Sequence, residues 1–168
     1  NMARRGVFGE VIHCQGSYEH DLRDEVALGM ENRHYRFRNY AYRNGEIYPT
    51  HALGPIAKLL RINRGNRFVS LSSFATKTRG ISVWARDHLR PDHPAVQTTF
   101  AQGDVVTTVL TCAGGETVVL THDTSLPRPY SRGGRIQGTK GLWMEINDSI
   151  YLDDYKPQHT WRSFRDVL

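Results

Sequence analysis

Short runs of alternating apolar and polar residues dominate this chain, and one run has helical spacing instead. Val7 to Tyr18, with Val7, Val11, Ile12 and Cys14 among β-forming residues, predicts a strand entered after a turn at Gly6. Phe68 to Phe74 alternates and predicts a second strand. Asp104 to Cys112 is the clearest strand, with Glu116 to His122 as its hairpin partner across Ala113-Gly114-Gly115. Arg135 to Gly141, Leu142 to Ile146 and Ser149 to Leu152 read as further short strands. Leu53, Ile56, Ala57, Leu59 and Leu60 recur at helical spacing and predict an amphipathic helix ending near Asn63-Arg64-Gly65-Asn66, with Gly65 closing it. A short helix is expected around Val83 to Arg86, inside a basic, proline-containing loop from Thr78 to Pro94. Tyr18 to Asn39 is polar and irregular and reads as a long surface loop with short pieces of order, with His34 to Arg38 extended. From Asp153 onward the chain is polar, with Trp161 and Phe164 as anchors.

Strands that neighbour one another in sequence favour an α+β fold: an open, mostly antiparallel or mixed β-sheet with helices on one face. The other face would then need a cover, so self-association or a missing domain is expected. The 168 residues suit a single domain, with 39% apolar and 23% charged residues close to globular averages. No run of about 18 apolar residues occurs, so no membrane span is predicted. Asn1 to Gly6 has no apolar signal region and reads as the tail of a helix closed by Gly6, as in a fragment of something larger. The net charge of +5 rests mainly on arginine. Glu10, Glu19, Asp21, Asp24, Glu25 and Glu31 are interleaved with the basic residues, which argues against nucleic acid as a partner. Cys14 and Cys112 have no metal-ligand spacing and are expected as buried free thiols.

Tyr48-Pro49-Thr50-His51 sets a phenol and an imidazole three residues apart where a loop becomes a helix. Pro49 stiffens the entry, Thr50 is the expected N-cap, and the helix dipole disfavours a cationic His51 in the first turn. Such a pair suits proton transfer or hydroxyl binding. It also suits simple packing, and spacing does not separate the two. His20-Asp21 and His122-Asp123 read as structural or solvated pairs. No phosphate-binding G-x-x-x-x-G-K-[ST], H-E-x-x-H, G-x-S-x-G or strand-following G-x-G-x-x-G occurs. Leu126-Pro127-Arg128-Pro129-Tyr130-Ser131-Arg132-Gly133-Gly134 is a stiff segment that presents Tyr and Arg before a glycine pair. A polar-ligand site and a loop covering the sheet edge are both compatible with it.

Taken in order, Gly45 to Ile56, Ile62 to Phe68, Leu126 to Ser131 and Gln137-Gly138-Thr139-Lys140-Gly141 resemble the C-terminal domain of the NAD-dependent glycosidases of family 109, in the Gfo/Idh/MocA group. The resemblance covers essentially the whole chain. It implies a single substrate-binding and oligomerisation domain over residues 1–168, an N-terminal Rossmann domain outside this chain, and α-N-acetylgalactosaminidase activity in the parent. The implied chemistry oxidises C3 of the sugar through NAD, removes the C2 proton, expels the C1 substituent, adds water and returns the hydride. A two-carboxylate pair is therefore not required. By the same resemblance Tyr48 and His51 are catalytic, while Arg36 and Tyr130 position the sugar and its N-acyl group. NAD would be held mainly by the absent domain, leaving this chain inactive alone. The implied partners are a glycoside and a second copy through the open sheet face. A sugar dehydrogenase of the same group and a non-catalytic assembly domain are the alternatives. Similar proteins often carry an export signal, so a periplasmic or exported parent is compatible; compartment is otherwise open.

Overall fold

The structure is a computed structural model, and it describes residues 2–167. Eight strands form one mixed sheet: β1 (Val11–Glu19), β2 (Phe68–Ala75), β3 (Val105–Cys112), β4 (Thr117–Asp123), β5 (Arg135–Gly138), β6 (Gly141–Met144), β7 (Ser149–Leu152) and β8 (Arg162–Ser163). Their spatial order is β2-β3-β4-β1-β5-β6-β7-β8. Only β1 and β4 run parallel; the other strand pairs are antiparallel, including the short connections β3–β4, β5–β6 and β6–β7. The excursion between β1 and β2 carries three helices: α1 (Arg23–Ala27), α2 (Tyr35–Tyr42) and α3 (Thr50–Leu59). Helices α4 (Gly80–His88) and α5 (Pro94–Gln97) follow β2. The expected α+β architecture is the one observed.

Alternation in the strands decides which face is covered. On β3 and β4, Val106, Leu110, Val118 and Leu120 are buried while their sequence neighbours are half-exposed. Helix α3 lies over that face, packing Ala52, Ile56 and Leu60 against Cys14, Leu110, Val118 and Leu120. Contact is close because β1 carries Gly16 there: a Cβ at Gly16 would lie 3.0 Å from the Ala52 Cβ and 3.2 Å from Ile56 Cδ1. The other helices continue the same layer, around Val26, Phe37, Tyr40, Ile81 and Phe100. A third cluster joins Phe8, Ile150 and Leu152 to Trp143 and Phe164. Both cysteines are buried and free, and burial pushes the Cys14 thiol up to about 12.

Several local expectations need correction. Strand β1 begins at Val11, after turns that include Gly6 and Gly9 at positive φ. The stretch read as a loop holds α1 and most of α2; His34 is extended, but Tyr35 to Arg38 is helical. His34 caps α2, its Nδ1 accepting the Arg36 N–H at 3.3 Å. Arg36, Phe37 and Tyr40 turn inward together, and Arg36 tolerates this because Glu25 on α1 pairs with it. Local polarity concealed an inward face that contains an arginine. Thr50 is the first helical residue, with Pro49 at the N-cap and no side-chain cap bond. Helix α3 stops at Leu59; Gly65 belongs to the later turn closed by the Ile62–Asn66 bridge. Phe164 is an anchor, whereas Trp161 remains 45% exposed.

The Gly16→Val variant should lift α3 from β1 and cost about 1–3 kcal/mol of stability. Chemical denaturation of the variant beside the wild type checks this, and an unchanged midpoint would contradict the close-packing account.

Candidate active site

Tyr18, near the end of β1, is the ring on which the site is built. It shares the covered face with Gly16, two residues earlier. Because Gly16 holds α3 close, the first turn of α3 reaches Tyr18. The Tyr48 ring lies 4.7 Å from it and the His51 ring 5.9 Å, nearly parallel at 21°. The Tyr48 hydroxyl and His51 Nε2 are 3.0 Å apart, a hydrogen bond whose direction depends on the imidazole tautomer. Glu46 fixes the approach: its carboxylate accepts the Tyr48 N–H at 3.2 Å. Burial pushes the Glu46 carboxyl upward, and the bond from Tyr48 partly opposes this.

Helix α2 supplies the cation. The Arg36 guanidinium sits 5.9 Å from the Tyr18 ring centre and 5.5 Å from that of Tyr48, close enough for cation–π attraction. Its charge is balanced by Glu25, and Glu25 also lies 3.2 Å from His34 Nε2. Burial raises the Tyr18 phenol, with Arg36 acting in the opposite direction. Behind Tyr18, His122 is fully buried, and burial, then Arg36, holds it down at about 4. Its Nε2 lies 3.5 Å from the Tyr40 hydroxyl, which also bonds Thr124.

The stiff 126–134 segment docks on the end of β1. Arg128 donates to Glu19 Oε2 at 2.7 Å and to Asp123 Oδ2 at 2.8 Å. Glu19 and Ser131 exchange backbone hydrogen bonds of 3.2 and 2.9 Å. Tyr130 and Arg132, alternating about Ser131, thereby share one side of the segment. The Arg132 guanidinium lies 5.4 Å from the Tyr18 ring centre and 5.2 Å from that of Tyr130. The His20 ring meets Tyr130 edge-on at 5.2 Å. Beside the nest, His51 and Arg132 open onto a cleft of about 720 Å³ with Ala52, Pro55, Ile136 and Trp143 in its walls.

The structure thus brings Arg36, Tyr48, His51 and Tyr130 around one ring. Of these, Arg36, Tyr48 and His51 border Tyr18 itself, and Tyr130 joins through Arg132 and His20. Sequence reasoning missed Tyr18, Arg132 and Glu46 as members. Tyr18 looked like the end of a strand, and only its phase with Gly16 could have indicated the helix-covered face. His122 appeared as half of a His-Asp pair, yet Asp123 turns to Arg128 instead.

The whole chain, residues 1–168, matches the family model described as glycosyl hydrolase 109, C-terminal domain. A glycosyl hydrolase family 109 protein of Stenotrophomonas maltophilia (strain K279a) is 43% identical over 98% of this chain and 40% of its own length. An alpha-N-acetylgalactosaminidase of Tannerella forsythia is 44% identical over 98% of this chain and 39% of its own. The chain therefore spans about two fifths of these relatives. Among solved structures, levoglucosan dehydrogenase in complex with NADH superposes with a TM-score of 0.61 at 16% identity, covering 96% of this chain and 41% of that one. An inositol dehydrogenase homolog from Azotobacter vinelandii, complexed with NAD+, gives a TM-score of 0.57 at 12% identity, covering 96% and 40%. At such identities the likeness is one of fold.

Buried neutral His122 makes stability depend on pH. The unfolded chain takes up the proton near the ordinary histidine value of 6.5, the folded chain only near 4. Its contribution is complete above 6.5 and declines as pH falls toward 4, with a slope approaching one proton. Denaturation of wild type and His122→Gln across that window should show the wild type losing this component and the variant lacking it. Parallel curves would contradict the assignment.

Proposed function

Because the chain belongs to the glycosyl hydrolase 109 C-terminal domain family, we propose that the nest around Tyr18 is the sugar-binding wall of an α-N-acetylgalactosaminidase. The observation that carries this reading is the convergence of Arg36, Tyr48 and His51 on one tyrosine ring, with the Tyr48 hydroxyl 3.0 Å from His51 Nε2. Aromatic faces beside a proton-active pair suit a polyhydroxylated ring: the faces cover its C–H surface, and the pair exchanges a proton with a hydroxyl or an adjacent carbon. Arg36, held by Glu25, and Tyr130, beside Arg132, would orient the sugar. Residues 1–168 act in this reading as one substrate-binding domain, with the parent's catalytic cycle completed by residues outside it.

The relatives' family and the NADH-bound structural neighbours support NAD as the parent's cofactor. In this reading Tyr48 and His51 would face its reacting end. No glycine-rich strand-to-helix turn occurs in the sequence, and α3 opens with Pro49-Thr50-His51, so the diphosphate would be held elsewhere in the parent. When bound, the cofactor supplies reversible hydride transfer at the sugar ring. This chain's part is to hold the ring on Tyr18 and to relay a proton through His51 Nε2 and the Tyr48 hydroxyl. A second copy on the open face of the sheet is the proposed oligomeric partner; exposed Phe74 on the outer strand β2 favours such a cover.

The fold likeness to levoglucosan dehydrogenase favours a second reading, a sugar dehydrogenase that stops after hydride transfer. Full-length protein assayed on p-nitrophenyl α-N-acetylgalactosaminide separates the two. Phenol release without added NAD supports the glycosidase, whereas NADH accumulation with free sugar and no cleavage supports the dehydrogenase. In that assay His51→Ala should lower turnover by at least ~100-fold, the lower range for a proton-transfer group. Near-normal turnover would remove His51 from the mechanism.

A further inference from the structure

Three arginines lie around the site, and two are already neutralised. Arg36 pairs with Glu25, and Arg128 bridges Glu19 and Asp123. Arg132 differs. Among the described residues its guanidinium has no acidic partner and no hydrogen bond, and its Nη1 is buried without an acceptor. A guanidinium has five donors and no acceptor, and none of those on Arg132 meets an acceptor among the described residues, so an oxygen entering the cleft would find an unused donor set. The cation is held in place by the Tyr18 and Tyr130 rings, 5.4 and 5.2 Å from its centre. Its backbone is anchored too, the Arg132 carbonyl accepting the Ser17 N–H at 2.6 Å. Arg132 also shares the wall of the cleft beside α3 with His51.

We propose that Arg132 is the specificity-determining residue for the substrate's N-acyl group, donating to the amide carbonyl while the methyl packs against the Tyr18 and Tyr130 rings. This rests on the glycosidase reading above and deepens it. An acetamido substituent joins a strong acceptor to a small apolar group, and Arg132 sets an unpaired donor beside two aromatic rings. A hydroxyl at the same sugar carbon supplies a weaker acceptor and no methyl. Arg36 cannot take this part as readily, because Glu25 already engages its Nη1.

Calorimetric titration of the full-length protein with N-acetylgalactosamine and with galactose tests this directly, without turnover. In the wild type N-acetylgalactosamine should bind more tightly than galactose. Arg132→Gln should weaken N-acetylgalactosamine by ~10–100-fold, the range for a hydrogen bond from a charged donor, and galactose by less than ~3-fold. Arg132→Lys keeps the charge, loses the planar fork and should fall between. Circular dichroism of both variants confirms that they are folded, with Lys as the fallback should Gln misfold. Unchanged selectivity, or equal loss for both sugars, overturns the role of Arg132 and leaves the glycosidase reading standing. A folded wild type that binds neither sugar overturns both.

Discussion

The approach of α3 to β1 at Gly16 is the constraint from which the site follows. No side chain separates the two backbones there, so Ala52 and Ile56 rest on the strand. A helix so close brings its first turn level with the next inward residue of β1, which is Tyr18. Tyr48 and His51 consequently meet an aromatic ring from a different element instead of facing solvent alone. A larger residue at position 16 would tilt or raise the helix, and the ring contacts of 4.7 and 5.9 Å would open with it.

Charge pairing shapes the rest of the nest. Arg36 enters a helix's buried side because Glu25 travels with it from the neighbouring helix. Arg128, by joining Glu19 to Asp123, clamps the stiff proline segment across the parallel strands β1 and β4. Both pairings use cations to place neighbours and leave little charge over for a ligand. Arg132 is the exception, a cation stacked between rings with a donor still unused. Two of the three cations around the nest are thus paired to acids, and one is held only by aromatic rings.

Family membership and geometry contribute different things. Membership bears on the kind of chemistry in which the parent engages, and it rests on similarity across the whole chain. Geometry bears on how this chain could take part: a proton pair, an aromatic floor and a cleft beside them.

Strong local periodicity made β3, β4 and α3 legible from the sequence, and the spacing of Tyr48 and His51 across a proline marked their loop–helix junction. Residue order carried the family resemblance, and with it Arg36 and Tyr130. Helix α2 was illegible because its inward face includes Arg36, whose partner Glu25 is eleven residues away and on another helix. Tyr18, Arg132 and Glu46 were illegible for a related reason: nothing local distinguishes a surface aromatic or charge from one that meets partners from distant segments. Sequence by itself determined the strand pattern, the placing of Tyr48 and His51 at a helix entrance, and the kinship. Tertiary structure alone decided that these groups share one ring and that one arginine among three stays unpaired. Periodicity records which side of an element turns inward, whereas pairing and burial depend on what other elements bring to that side.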